Sequence, residues 1–168
     1  MKKLIVIRHA KSSWDDSSLD DFDRPLNKRG EKDAPRMGKW LREMTITPDY
    51  LITSPAVRAK ETCKHIAQKL DFPSAKIIFD QRLYHAAKET ILQVVKEIPD
   101  RKNDDEEIVI LFGHNPGLTE FVNAASNEAI ANVPTCGVVI ISFSHAHWSN
   151  LEFGSGKMES FHYPKKVD

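Results

Sequence analysis

Arg8 and His9 follow directly on the apolar run Leu4-Ile5-Val6-Ile7. A guanidinium and an imidazole placed where a buried strand runs out suit an anion site better than a core. The arrangement recurs twice. Tyr50-Leu51-Ile52-Thr53 leads into Ser54-Pro55 and Arg58, and Ile108-Val109-Ile110-Leu111-Phe112 leads into Gly113-His114-Asn115. Two guanidiniums supply planar, permanent charges that match the oxygens of a phosphate. Of two imidazoles, one can attack phosphorus, giving a covalent phosphohistidine that splits one displacement into two easier ones. The arginines and the second imidazole then stabilise charge on the equatorial oxygens. Arg8, His9, Arg58 and His114 are therefore the candidate catalytic set. Asn115, at the opening of a helix, and Ser12, in the turn after the first strand, are candidate phosphate contacts.

The elements that must carry these residues are legible in the hydrophobic pattern. Continuous apolar runs at Leu4–Ile7, Tyr50–Thr53, Lys76–Phe79, Ile108–Phe112 and Val138–Phe143 predict strands buried on both faces. Asn27 is placed to cap a helix running to about Met44, with Pro35 expected to kink it. Ser54-Pro55 reads as an N-cap with proline at the first helical position, opening a helix to about Leu70. Helices are also expected over Lys88–Ile98 and from Pro116 to about Ser126. Trp148–Phe153 and Met158–Tyr163 suggest edge strands around Gly154-Ser155-Gly156, and Asp100–Glu107 suggests a solvated loop. Alternating strands and helices predict a three-layer α/β/α sandwich with a mainly parallel central sheet. In such folds ligands bind at the carboxyl ends of the strands.

Composition narrows the partners. The 168 residues suit a single domain over 1–168, and 24 basic against 24 acidic residues give no bulk field for nucleic acid or a membrane. No stretch approaches the roughly 18 apolar residues of a membrane span. Cys63 and Cys136 show neither a disulfide framework nor metal-ligand spacing, which fits a reduced, cytoplasmic setting. No cofactor is implied, and oligomeric state is not encoded in these features.

The same residues carry a family resemblance. Leu4-Ile5-Val6-Ile7-Arg8-His9-Ala10 resembles the opening block of the histidine phosphatase (phosphoglycerate mutase-like) superfamily. Arg24-Pro25-Leu26-Asn27-Lys28-Arg29-Gly30, Thr53-Ser54-Pro55-Ala56-Val57-Arg58-Ala59-Lys60-Glu61-Thr62 and Gly113-His114-Asn115-Pro116 resemble its next three blocks, in order. The short chain, Ala10 in place of glycine and Lys11-Ser12-Ser13-Trp14-Asp15 are most similar to the SixA-like phosphohistidine phosphatase branch. The resemblance implies His9 as the phosphorylated nucleophile, with Arg8, Arg58 and His114 as the phosphate pocket. It also implies metal-independent hydrolysis, with a phosphohistidine-bearing protein as the substrate. Many members place a glutamate where this chain has Arg82-Leu83-Tyr84-His85. Either His85 serves as the acid, or a good leaving group such as imidazole needs none; Glu89 and the aspartates near Asp15 are further candidates. A small-molecule phosphomonoesterase, a mutase and an inactive phospho-ligand binding module are the rival readings.

Other features have bland readings. His145-Ala146-His147 puts two rings on one strand face, yet a catalytic zinc needs three ligands, so surface histidines are expected, as for His65 and His162. Asp15, Asp16, Asp20, Asp21 and Asp23 lack the pattern of a calcium loop and read as a solvated rim. Such a rim would select against very acidic substrates or meet a basic patch on a partner. Trp14, Phe22 and Tyr84 are candidates for the pocket wall.

Overall fold

The computed structural model describes residues 1–101 and 106–167. Six strands form one sheet: β1 (Lys2–Arg8), β2 (Tyr50–Thr53), β3 (Ile78–Phe79), β4 (Glu107–Gly113), β5 (Val138–Phe143) and β6 (Lys157–His162). Their order is β3-β2-β4-β1-β5-β6. β3, β2, β4 and β1 run parallel; β5 is antiparallel to β1, and β6 to β5. Four helices cover the sheet: α1 (Lys28–Glu43), α2 (Val57–Lys69), α3 (Lys88–Lys96) and α4 (Gly117–Ser126).

Side-chain alternation along the central strands explains the layers. Leu4 and Val6 of β1 join Val109 and Leu111 of β4 in one core with α3 and α4, while Ile5 and Ile7 join Ile110 and Phe112 in a second core with α1 and α2. A strand buried on both faces must be apolar at every position, and Leu4 to Ile7 are all fully buried. Both cores therefore end at the same place, where β1 delivers Arg8 and His9.

Several local expectations need correction. β3 is two residues long, and both Ile78 and Phe79 are exposed because β3 is the sheet edge beyond β2. Lys76, expected to open that strand, instead closes a 3-10 turn over Ser74–Lys76. Trp148–Asn150 is likewise a 3-10 turn, not an edge strand. α2 begins at Val57, so Ser54 is not its N-cap. α1 is continuous through Pro35, capped by Asn27, whose Oδ1 accepts the Gly30 N–H at 2.9 Å. Of the loop expected over Asp100–Glu107, residues 102–105 lie outside the described residues. Its two ends are not simply solvated. Glu107 is buried, bonded to the Trp148 indole N–H at 2.9 Å and paired with Lys2 Nζ at 2.9 Å, and Asp100 pairs with the same lysine.

Candidate active site

His9, one residue past β1, is 7 % exposed. Its Nδ1 lies 2.7 Å from the Ala10 carbonyl, an acceptor, so Nδ1 carries the proton and Nε2 holds the lone pair. Arg58, on the first turn of α2, directs its Nε–H at that Nε2 from 3.4 Å. Burial first, and then the charges of Arg58, Arg8 and Arg24, push His9 down to about 4. At neutral pH the imidazole is uncharged and nucleophilic. Thr62 joins the two elements, because its Oγ1 accepts the Ala10 N–H at 2.9 Å and donates to the Arg58 carbonyl at 2.7 Å.

His114 follows β4 and tilts against His9 with ring centroids 5.2 Å apart. Its Nε2 lies 2.8 Å from Ser54 Oγ, which also accepts the Ala56 N–H. Ser54 thus serves the site and the turn before α2, which is why the helix starts two residues late. Burial, then the charges of His9 and Arg58, push His114 down to about 3. With its proton on Nδ1, His114 accepts the Ser54 hydroxyl at Nε2 and offers Nδ1–H as a donor.

Two buried polar atoms in this pocket have no protein partner: Arg8 Nε and His114 Nδ1. Buried polar groups are nearly always paired, so the pair marks what the pocket is shaped to receive. Arg8 is held from behind by the Val133 carbonyl at 3.2 Å. Arg8, Arg58 and His114 line one cavity with His9, and Arg58 Nε is the donor nearest His9 Nε2, an arrangement suited to an oxyanion. The cavity they floor measures about 270 Å³.

The remaining expectations divide. Ser12 lines the cavity and accepts from Arg24 Nη2 at 2.6 Å. Asn115 lines it too, but its amide is fully engaged: Nδ2 donates to Asn132 and the Val133 carbonyl, and Oδ1 accepts from Thr119. Its side chain braces the loop and has no amide proton left for a ligand. His85 stands at the mouth, its Nε2 3.6 Å from Asp21 Oδ2. Gly117 permits this, because a Cβ there would overlap the Ala86 carbonyl. Glu89 is exposed in the first turn of α3 and does not line the cavity. Trp14 is 74 % exposed with the Arg24 guanidinium over its ring, so it walls the rim rather than the interior. Tyr84 packs edge-on against both Phe22 and His114. His147 bonds Asp100 at 3.0 Å, remote from this pocket. Among the described residues, no group of three or more His, Cys, Asp or Glu is placed to hold a metal ion. Cys63 and Cys136 are free and buried, and burial raises both thiols, Cys63 to about 12.

The sequence places Asp21 on the acidic rim and Arg24 and Thr62 in the blocks that carry the resemblance, but not the contacts by which Asp21 and Thr62 hold Arg58 and Arg24 holds Asp21 and Ser12. For Thr62 a signal existed, four residues beyond Arg58 and so on the same helical face.

The chain matches the family model for the histidine phosphatase superfamily (branch 1) over residues 4–86. It is 32% identical over 159 residues to an uncharacterized protein of Arabidopsis thaliana, covering 92% of this chain and 72% of that one. An uncharacterized protein of Mycobacterium tuberculosis is 31% identical over 169 residues, covering 95% of this chain and 100% of its own. The chain belongs to the histidine phosphatase superfamily. Among solved structures, the protein histidine phosphatase SixA complexed with tungstate superposes with a TM-score of 0.82 over 99% of each chain, at 19% identity. At that identity the likeness is one of fold.

The depressed imidazoles of a histidine phosphatase site make stability depend on pH. In the unfolded chain both rings return to about 6.5. Between that value and about 4 the unfolded chain binds more protons than the folded one. Stability is full above pH 6.5 and falls as pH drops toward 4, by on the order of 3 kcal/mol per ring. Urea unfolding across this window checks it. An equally steep fall in a His9→Gln/His114→Gln double variant would exclude these rings as the cause.

Proposed function

We propose that the protein is a phosphatase that works through a phospho-His9 intermediate, with phosphohistidine on a protein as its substrate. The observation that carries this reading is the His9 Nε2 lone pair, tautomer-locked by Ala10 and facing Arg58 Nε–H on the pocket floor. Nε2 forms a bond to phosphorus as the bond to the leaving group breaks. The leaving atom takes a proton on the mouth side, and water then attacks phosphorus to release phosphate and free Nε2. The chemistry draws on no metal.

An open mouth supports a bulky substrate. Trp14 and His85 at the rim are 74 % and 62 % exposed, and both line the cavity. His85 is the proton donor for poor leaving groups, being the imidazole that borders the cavity beside Asp21. An imidazole leaving group depends on it less, since it departs more readily than an alkoxide. His85→Ala is therefore expected to lose about 10²-fold on an alkyl phosphate and little on a phosphohistidine protein, with EDTA changing neither rate. Turnover of sugar phosphates without any turnover of phosphohistidine proteins would favour the small-molecule phosphomonoesterase reading instead.

A further inference from the structure

Asp21 stands apart from the other acidic residues of its loop. Its carbonyl accepts Arg58 Nη1 at 2.6 Å and its Oδ2 accepts Arg58 Nη2 at 3.0 Å. Both terminal nitrogens of Arg58 are thereby tied back, and Nε–H is left facing His9. Tyr84 donates its hydroxyl to the same Oδ2 at 2.7 Å, and Arg24 Nη1 donates to Oδ1 at 3.0 Å. Burial opposes ionisation of Asp21, but the hydrogen bonds of Tyr84 and Arg58 and the charge of Arg58 hold its carboxyl well below the usual range. The side chain is nevertheless 42 % exposed and lines the cavity. Asp21 is thus a fixed, permanent anion inside a cationic pocket. The Asp16 carboxylate, by contrast, accepts from nearby Ser18, and Asp16 does not line the cavity.

In-line displacement fixes what this anion faces. With the attacking nitrogen on the floor, the leaving group points toward the mouth, where Asp21 and His85 border the cavity. We propose that Asp21 is a specificity-determining residue whose carboxylate, on the leaving-group side, selects against substrates bearing a second anionic group beside the phosphate. This rests on the phosphatase reading of the site. A nitrogen leaving group that departs with a proton meets no such repulsion. A second anion several ångströms from a fixed unit charge near the protein surface is disfavoured by roughly tenfold.

The test compares kcat/KM for phosphoimidazole with that for 3-phosphoglycerate, whose carboxylate lies beside its phosphate. Wild type, Asp21→Asn and Asp21→Glu are assayed in parallel. Asparagine keeps one side-chain acceptor for Arg58 and Tyr84 and removes the charge together with the acceptor that Arg24 uses, so the readout is the ratio of the two substrates and not either activity alone. Asp21→Asn is expected to raise activity on the acidic substrate about tenfold relative to phosphoimidazole, with the glutamate variant holding the wild-type ratio. An unchanged ratio in Asp21→Asn, even with both activities reduced, overturns the inference and leaves Asp21 as a strut for Arg58. Should the asparagine variant fold poorly, the wild-type ratio is followed from low salt to about 1 M, where charges more than about 3 Å apart are screened. Discrimination that does not shrink with salt also overturns the inference. If wild type hydrolyses neither compound nor any other phosphorylated probe, it is the phosphatase reading that fails.

Discussion

Replacing His9 with alanine is expected to remove the covalent intermediate and to lower turnover by about a thousand-fold or more. The physical reason is specific to this ring. Its Nδ1–H is fixed on the Ala10 carbonyl, so Nε2 is the reactive nitrogen, and burial keeps it unprotonated. A second group with these properties is not at hand. His114 is depressed further, to about 3, but its Nε2 is bonded to Ser54 and its Nδ1 is unpartnered. Acid-quench trapping of enzyme mixed with labelled phosphoramidate checks the result directly. Wild type should yield an acid-labile, base-stable phosphoenzyme, and His9→Ala none. A phosphoenzyme of the same lability in the alanine variant would move the nucleophile elsewhere. Tight vanadate binding by a wild-type protein that never forms the intermediate would identify an inactive binding module.

Arg58→Ala is the second large effect, expected to cost about 10²–10³-fold in kcat, the usual loss for one preorganised donor at a developing charge. Arg58→Lys should recover little of it. Lysine restores the charge but not the Nε–H that faces His9, nor the fork that Asp21 grips through two acceptors. Steady-state kinetics on an aryl phosphate separates the outcomes. A lysine variant close to wild type would mean that Arg58 acts as a point charge and that its geometry is immaterial.

Both predictions concern residues that the sequence exposed, and there is a physical reason for that. Arg8, His9 and His114 sit where apolar strand runs stop, and Arg58 sits just after another. Burial makes such runs easy to read, and a charge at their end is conspicuous. Asp21 was legible only as one of five rim aspartates, and its pairing with Arg58 and Arg24 was not, because both Asp21 and Arg24 meet the site from a 3-10 turn and its exit, where no periodicity announces direction. Trp148 misled for a related cause. Trp148 and Leu151 are buried three residues apart, the spacing of a tight helical turn, yet the aromatic content suggested strand. Ile78 and Phe79 misled because exposure depends on a neighbouring strand, and local sequence does not say which strand lies at the edge. Asn115 looked like a ligand at a helix opening, whereas its amide hydrogen bonds all turn inward.

The alternation of β1 between two cores bears on how such an enzyme can diversify. Sliding β1 by one residue against β4 would send Leu4 and Val6 into the core built for Ile5 and Ile7, and the reverse. The reach of His9 from the sheet edge is consequently not a quantity that gradual substitution can tune, since every intermediate register is misfolded. Loop residues at the mouth, such as Trp14, Asp21 and His85, are free of that constraint. New substrate preferences in a protein of this build can accumulate at the rim while the chemistry at the floor stays where the two cores put it.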